Sequence, residues 1–167
     1  KIEELGNLLE ETAAVGLFDV GAQKALSSTR FILTKYLNAH KHLQPGAFSL
    51  RHWLASGKGN LYLTWREDMA EALRPLMSTW FDVLVSSLLS LPPDEERRIW
   101  FFLDELASME RLSSLEDGLT KGAKHGGRFV CGLQSTAQLD DIYTKDKATV
   151  LRSCFRNLLV LNIPNTD

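Results

Sequence analysis

An α/β fold with a parallel sheet follows from three observations along the 167 residues. Short strand-like runs at 61–65, 99–103, 128–133 and 158–163 alternate with segments of helical periodicity, the order expected of βαβ crossovers. The run Ile99-Trp100-Phe101-Phe102-Leu103 is apolar without interruption, the pattern of a strand buried on both faces. Residues 1–56 carry helical patterning only, which predicts an all-α domain over 1–56 and a sheet-bearing domain over 57–167.

The elements follow in order. Residues 2–17 are helix-prone, and Phe18-Asp19-Val20-Gly21 reads as a break. A helix over 22–43 then places Ala25, Ile32, Tyr36, Leu37 and Leu43 at helical spacing. Gln44-Pro45-Gly46 stops it, because proline cannot continue the ladder and glycine relaxes the turn. Ser49 is placed to cap a short helix through 55. Leu61-Tyr62-Leu63-Thr64-Trp65 reads as a strand. A helix over 68–91 carries Met69, Leu73, Met77, Trp80, Leu84 and Leu88, with Pro75 expected to kink its first turns. Pro92-Pro93-Asp94 ends it. Ser113 and Glu116 have the spacing of a capping box, as do Ser135 and Gln138. A last helix is expected over 145–155.

Composition narrows the class. An apolar share of 44% with 24% charged residues describes a globular chain and argues against disorder. Two cysteines, Cys131 and Cys154, exclude a disulfide scaffold, match no zinc spacing and suit a reducing compartment. No apolar run approaches the roughly 18 residues of a membrane span. The chain opens at Lys1 without Met or a signal peptide, and both ends read as cut from something longer. The net charge of −2 hides an uneven distribution. From 20 to 66 there are seven Lys/Arg (Lys24, Arg30, Lys35, Lys41, Arg51, Lys58 and Arg66) and no acid; from 61 to 126, twelve acids face seven bases. A one-sign segment of this length suits a polyanion, or a solvated helix face balanced by the acidic half.

Candidate chemistry lies at strand ends, where sites form in open parallel sheets. The apolar run 99–103 delivers Asp104 and Glu105, the Walker B pattern. A carboxylate there can hold Mg²⁺ directly or through its water shell, and the next one can polarise a water attacking a γ-phosphate. A plain strand-to-helix turn and the acidic pocket of a receiver-like module share the pattern. The next strand, 128–133, delivers Gln134, whose amide can bond both a phosphate oxygen and a water; it can equally cap the following helix. Asp-Glu on one strand and Gln on the next is the order of RecA-type motors. Nowhere does Gly-x-x-x-x-Gly-Lys-Ser/Thr occur, and Gly57-Lys58-Gly59 precedes a strand instead of following one. Alone, the chain is therefore expected to bind ATP weakly and to be inactive as an ATPase.

The stretch from Trp100 through Leu103-Asp104-Glu105-Leu106, Lys124-His125-Gly126-Gly127 and Gly132-Leu133-Gln134-Ser135-Thr136-Ala137-Gln138 to Tyr143 closely resembles the TraD/TrwB family of conjugative coupling proteins. Phe48-Ser-Leu-Arg-His-Trp-Leu54 and Leu73-Arg-Pro-Leu76 resemble it too, so the likeness covers at least 48–161. The resemblance implies an inner-membrane ATPase with a RecA-like domain and an inserted all-α domain, forming a homo-hexamer. Such a motor uses ATP and Mg²⁺ to pass DNA from the relaxosome to a type IV secretion channel. Membrane anchor and P-loop would then lie before Lys1. The resemblance matches Asp104 to the Mg²⁺-associated acid, Glu105 to the catalytic glutamate and Gln134 to the γ-phosphate reader. It also adds weight to Lys24, Arg30, Lys35, Lys41, Arg51 and Lys58 as DNA contacts.

One departure from the resemblance stands out: close relatives carry Arg-Lys where this chain has Ala123-Lys124, so either Lys124 or Arg128 substitutes for a finger reaching a neighbouring subunit or that contact is weaker here. Trp53, Trp65, Trp80 and Trp100 are expected in the core, as are both cysteines, and Asp140-Asp141 as a solvated helix-end pair. His40, His42, His52 and His125 show no metal-ligand spacing. The alternative class is a non-enzymatic, receiver-like binding module. Such a module needs a Lys at a later strand end, which the chain lacks.

Overall fold

The computed structural model describes residues 23–37, 39–40, 43–109 and 111–161. The expected helix at 2–17 lies outside them. The chain divides into two compact units, Lys1–Gln44 and Pro45–Asp167. In the first unit the expected helix over 22–43 is observed as α1 (Gln23–Leu37), followed by a 3-10 turn at 39–40. Phe31, Ile32 and Leu33 are exposed on α1, so Ile32 does not face inward as its spacing suggested.

The second unit begins with α2 (Leu50–Ser56). Ser49 caps it as expected, its hydroxyl accepting from the His52 amide at 3.3 Å, and Gly57 closes it at φ 63, a left-handed turn. The strand expected at 61–65 is not formed. The segment is extended, with Leu61, Leu63 and Trp65 half-buried and Tyr62 and Thr64 exposed, but no neighbouring strand pairs with it. Alternation specifies an extended chain with one inward face; pairing also needs a partner edge, which local sequence does not supply.

Helix α3 (Ala70–Ser90) is entered through a 3-10 turn, Glu67–Met69. The helix continues past Pro75, its sixth residue, whose ring removes the amide that would otherwise bond the Glu71 carbonyl. Met77, Phe81, Leu84, Val85 and Leu88 are buried along it, one helical stripe that supplies much of the core.

Strands β1 (Ile99–Leu103) and β2 (Gly127–Cys131) form a two-stranded parallel sheet, in register from Ile99↔Gly127 to Leu103↔Cys131. The crossover between them contains a 3-10 turn (Leu106–Ser108) and α4 (Leu115–Lys121), which continues into a second 3-10 turn, Gly122–His125. Gly126, at φ 90, turns the chain into β2; a side chain there would meet the Cβ of Arg97 at 2.6 Å. Two helices follow, α5 (Gln138–Ile142) and α6 (Lys145–Cys154), the latter capped by the Thr144 hydroxyl.

The start of α4 differs from expectation. Ser114, not Ser113, occupies the N-cap, and both its hydroxyl and its amide donate to Asp82 Oδ1 of α3, at 2.6 and 3.1 Å. A tertiary carboxylate thus replaces the local capping box and ties α4 to α3.

The sheet is also covered differently. On its inner face, Phe101 stacks on Phe129 at 4.7 Å and meets Phe81 edge-on at 6.3 Å. Phe101 is 8% exposed and Leu103 6%, whereas Trp100 is 56% and Phe102 70% exposed. The expectation of burial on both faces therefore fails: α3 and α4 lie on one face, and no described element covers the other. Phe102 and Trp100 stack on each other there, 5.9 Å apart. Residues 158–161, the described part of the expected last strand, are likewise unpaired and exposed.

Close packing explains two glycines inside the crossover. A Cβ on Gly118 would lie 2.9 Å from the Phe129 ring, and one on Gly122 3.2 Å from it. Tyr143 reaches back across this core, its buried hydroxyl accepting from the Leu112 amide at 3.1 Å.

Candidate functional site

The two strands point the same way and end in register, so the residues that follow them emerge at one edge of the sheet. Asp104 and Glu105 follow β1; Gly132, Leu133 and Gln134 follow β2. The two exits are fastened to each other. The Gly132 amide donates to the Leu103 carbonyl at 2.8 Å, and the Leu106 amide donates to the Gly132 carbonyl at 3.0 Å. Between those bonds the backbones approach so closely that a Cβ on Gly132 would fall on the Asp104 carbonyl oxygen, 3.0 Å from its carbon. The glycine is what lets the two strand ends meet.

The carboxylates differ in environment. Asp104 is exposed, and strand alternation puts it on the same face as Trp100 and Phe102. Glu105 is half-buried, and its Oε1 is fully buried without a hydrogen-bond partner. A buried carboxylate oxygen left unpaired costs on the order of 1–3 kcal/mol, so an atom so placed at a strand end calls for a partner such as a water or a bound ligand. The Glu105 carbonyl is occupied by Ser108, whose amide and hydroxyl donate to it at 3.1 and 2.8 Å. That turn fixes the backbone from which the carboxylate projects.

Gln134 is exposed at the head of the turn that follows β2. Its own amide and that of Ser135 both donate to the side-chain oxygen of Gln138, each at 3.1 Å. The Ser135 hydroxyl accepts from Ala137, which is itself the N-cap of α5 and has no side-chain cap bond, so the expected Ser135–Gln138 capping box is not formed and Gln138 is the first helical residue. Arg152 of α6 adds a brace, donating to the Thr136 carbonyl at 3.2 Å and to Asp140 at 3.0 Å. Asp140 is thus ion-paired and half-buried, which corrects its reading as a solvated residue; Asp141 is exposed.

Among the described residues no group of three His, Cys, Asp or Glu side chains could enclose a metal ion. Mg²⁺ does not require one, since it is commonly held by one or two carboxylates together with substrate phosphates. The exposed carboxylate of Asp104 fits that donor set.

The other expected residues are distributed as follows. Lys24, Arg30, Arg51 and Lys58 are exposed, Lys35 lies on α1, and Lys41 is outside the described residues. Arg128 donates to the Ala123 and Gly127 carbonyls at 3.2 and 2.8 Å, and Lys124 is exposed. None of the four tryptophans is fully buried, and Trp100 is mostly exposed, because each side of β1 alternates and only one is covered. Cys131 is half-buried, and burial pushes its thiol up to about 11. Among the described residues no helix is long and apolar enough to cross a membrane.

The profile of the type IV secretion-system coupling protein DNA-binding domain family matches residues 1–167. Coupling protein TraD of Escherichia coli is 34% identical over 161 residues, covering 90% of this chain and 22% of TraD. VirD4 of Agrobacterium fabrum is 36% identical over 85 residues, 50% of this chain and 13% of that protein. The bacterial conjugative coupling protein TrwBdeltaN70, in its unbound form, superposes with a TM-score of 0.81 at 52% identity, over 93% of this chain and 38% of its own. TrwB in complex with ADP and Mg²⁺ superposes with a TM-score of 0.80 at the same identity and coverage. The chain therefore spans less than two fifths of the length of these relatives. With the match running over all 167 residues, the chain belongs to the type IV secretion-system coupling protein DNA-binding domain family.

Proposed function

We propose that this chain is the Walker B-bearing part of an ATP-driven DNA-translocating motor. In this reading the motor couples the relaxosome to a type IV secretion channel and works as a homo-hexamer at the inner membrane. The observation that carries it is the in-register parallel pairing of β1 and β2, which brings Asp104, Glu105 and Gln134 to one edge of the sheet. The unpartnered Glu105 oxygen supports the same reading. Residues 1–56 are assigned to the all-α domain and 57–167 to the RecA-like domain.

Each residue has a distinct task. Asp104 holds Mg²⁺, directly or through a coordinated water, and is exposed enough to do so without losing a partner. Glu105 accepts hydrogen bonds from the attacking water and orients it. Gln134 donates to the terminal phosphate oxygen through its amide nitrogen, and its amide oxygen accepts from the water. When bound, Mg²⁺ supplies charge neutralisation of the phosphates. Lys24, Arg30, Lys35, Lys41, Arg51 and Lys58 contribute the electrostatic contact with DNA.

The test is hydrolysis and binding in the protein as encoded. Glu105→Gln is expected to abolish turnover while nucleotide binding persists; full activity in that variant would refute the catalytic assignment. For DNA, affinity is expected to fall steeply with salt, with a slope reduced by about one for each basic residue neutralised. A flat salt titration would refute the electrostatic contact.

A further inference from the structure

The side chain of Gln138 makes two hydrogen bonds that helix capping alone does not require. In a capping box the N3 residue reaches back to one amide, that of the N-cap. Here Oε1 of Gln138 accepts from two successive amides, Ser135 and Gln134, each at 3.1 Å. The second bond falls on the backbone of Gln134, the residue whose side chain projects from the strand end, three residues before the N-cap Ala137.

The surroundings make this a rigid mount. Gln138 is half-buried, and the neighbouring Leu139 is buried in the core, 1% exposed. The turn beneath it is tight: Gln138, Leu139 and Asp140 donate to Ser135, Thr136 and Ala137 at 3.2, 3.2 and 2.9 Å. Arg152 secures the far side through Thr136 and Asp140. Gln134 itself is exposed, and its orientation depends on the peptide to which it is attached.

We infer that Gln138 is a positioning residue for Gln134. It clamps the amides of Gln134 and Ser135 and so sets the direction in which the Gln134 side chain leaves the sheet edge. The role rests on the reading of Gln134 as the group that contacts the terminal phosphate. Without the clamp the two amides turn to solvent, the turn after β2 loosens, and the fraction of time Gln134 spends in a productive orientation falls. Substrate affinity, set mainly elsewhere, changes little, and the loss appears in kcat.

Two variants separate this from a capping role. Gln138→Met keeps length and helix propensity but removes the acceptor; Gln138→Glu keeps it. In the protein as encoded, Gln138→Met is expected to lower kcat at least tenfold with KM within about twofold of the parent, and Gln138→Glu to stay within about threefold. Combined with Gln134→Ala, Gln138→Met is expected to add no further loss, because it acts through the residue already removed. Hydrogen exchange at the amides of 134 and 135 is expected to speed up in Gln138→Met and not in Gln138→Glu. Equal kcat values for parent and Gln138→Met, multiplicative losses in the double variant, or unchanged amide exchange would each overturn the inference. A fully active Gln134→Ala would instead refute the assignment of Gln134, and the amide exchange would still show whether the clamp exists.

Discussion

Replacing Gly132 by alanine tests how the two strand ends are held together. The added methyl would overlap the Asp104 carbonyl oxygen and lie 3.0 Å from its carbon, where carbon atoms normally rest about 3.5–4.0 Å apart. The strand ends must therefore part by about 0.5–1 Å, which strains the bonds Gly132 makes with Leu103 and Leu106, now 2.8 and 3.0 Å. Losing part of two backbone hydrogen bonds at about 1 kcal/mol each, with overpacking of about 1–3 kcal/mol, gives a destabilisation near 3 kcal/mol. For a chain of this size that lowers Tm by about 6–12 °C, readable by calorimetry. Gly46 is the control: a Cβ there meets nothing within 4 Å, so Gly46→Ala should leave stability unchanged or slightly raised. A Gly132→Ala protein melting within about 2 °C of the parent would refute the close approach on which the site geometry rests.

Other expectations follow from single contacts. Tyr143→Phe leaves the Leu112 amide without its acceptor and should cost about 1–3 kcal/mol, seen as a lower denaturant midpoint; an unchanged midpoint would contradict the bond. Phe101→Ala should destabilise by about 3–5 kcal/mol, whereas Phe102→Ala should cost less than about 1 kcal/mol in this chain, and the reverse order would show the sheet faces misassigned. With its thiol raised from 9.0 to about 11, Cys131 should carry roughly a hundredfold less thiolate at pH 8 than in the unfolded chain and be alkylated correspondingly slowly. The folded value being the higher one, this contribution to stability is complete below pH 9 and disappears as pH rises through about 11. Alkylation at the unfolded rate at pH 8 would contradict the buried environment.

Much of this was legible from the chain. Dense apolar runs located β1 and β2, proline located the C-terminal end of α3, glycine located the entry to β2, and the acids after Leu103 with the amide after Leu133 located the candidate site. The misses share a cause. The runs at 61–65 and 158–161 specify extended, apolar backbone, but a strand exists only when another edge accepts its hydrogen bonds. The covering of Trp100 depends on which elements pack against β1, and an apolar run looks the same with one face covered or two. Ser114 is tied to Asp82, 32 residues away in sequence, so no local spacing rule could find it. Gly132 did carry a signal, since glycine within a strand run often marks close backbone approach. Gln138 was visible as a helix cap, but its second bond to Gln134 requires coordinates.

The central claim is that the ends of β1 and β2 share one terminal phosphate. Its most direct test is the position of Mn²⁺, substituted for Mg²⁺, located by anomalous diffraction in the protein as encoded with a non-hydrolysable ATP analogue. The account predicts the metal beside Asp104 and the terminal phosphate within hydrogen-bond reach of Gln134. A metal and phosphate bound away from both strand ends would contradict it.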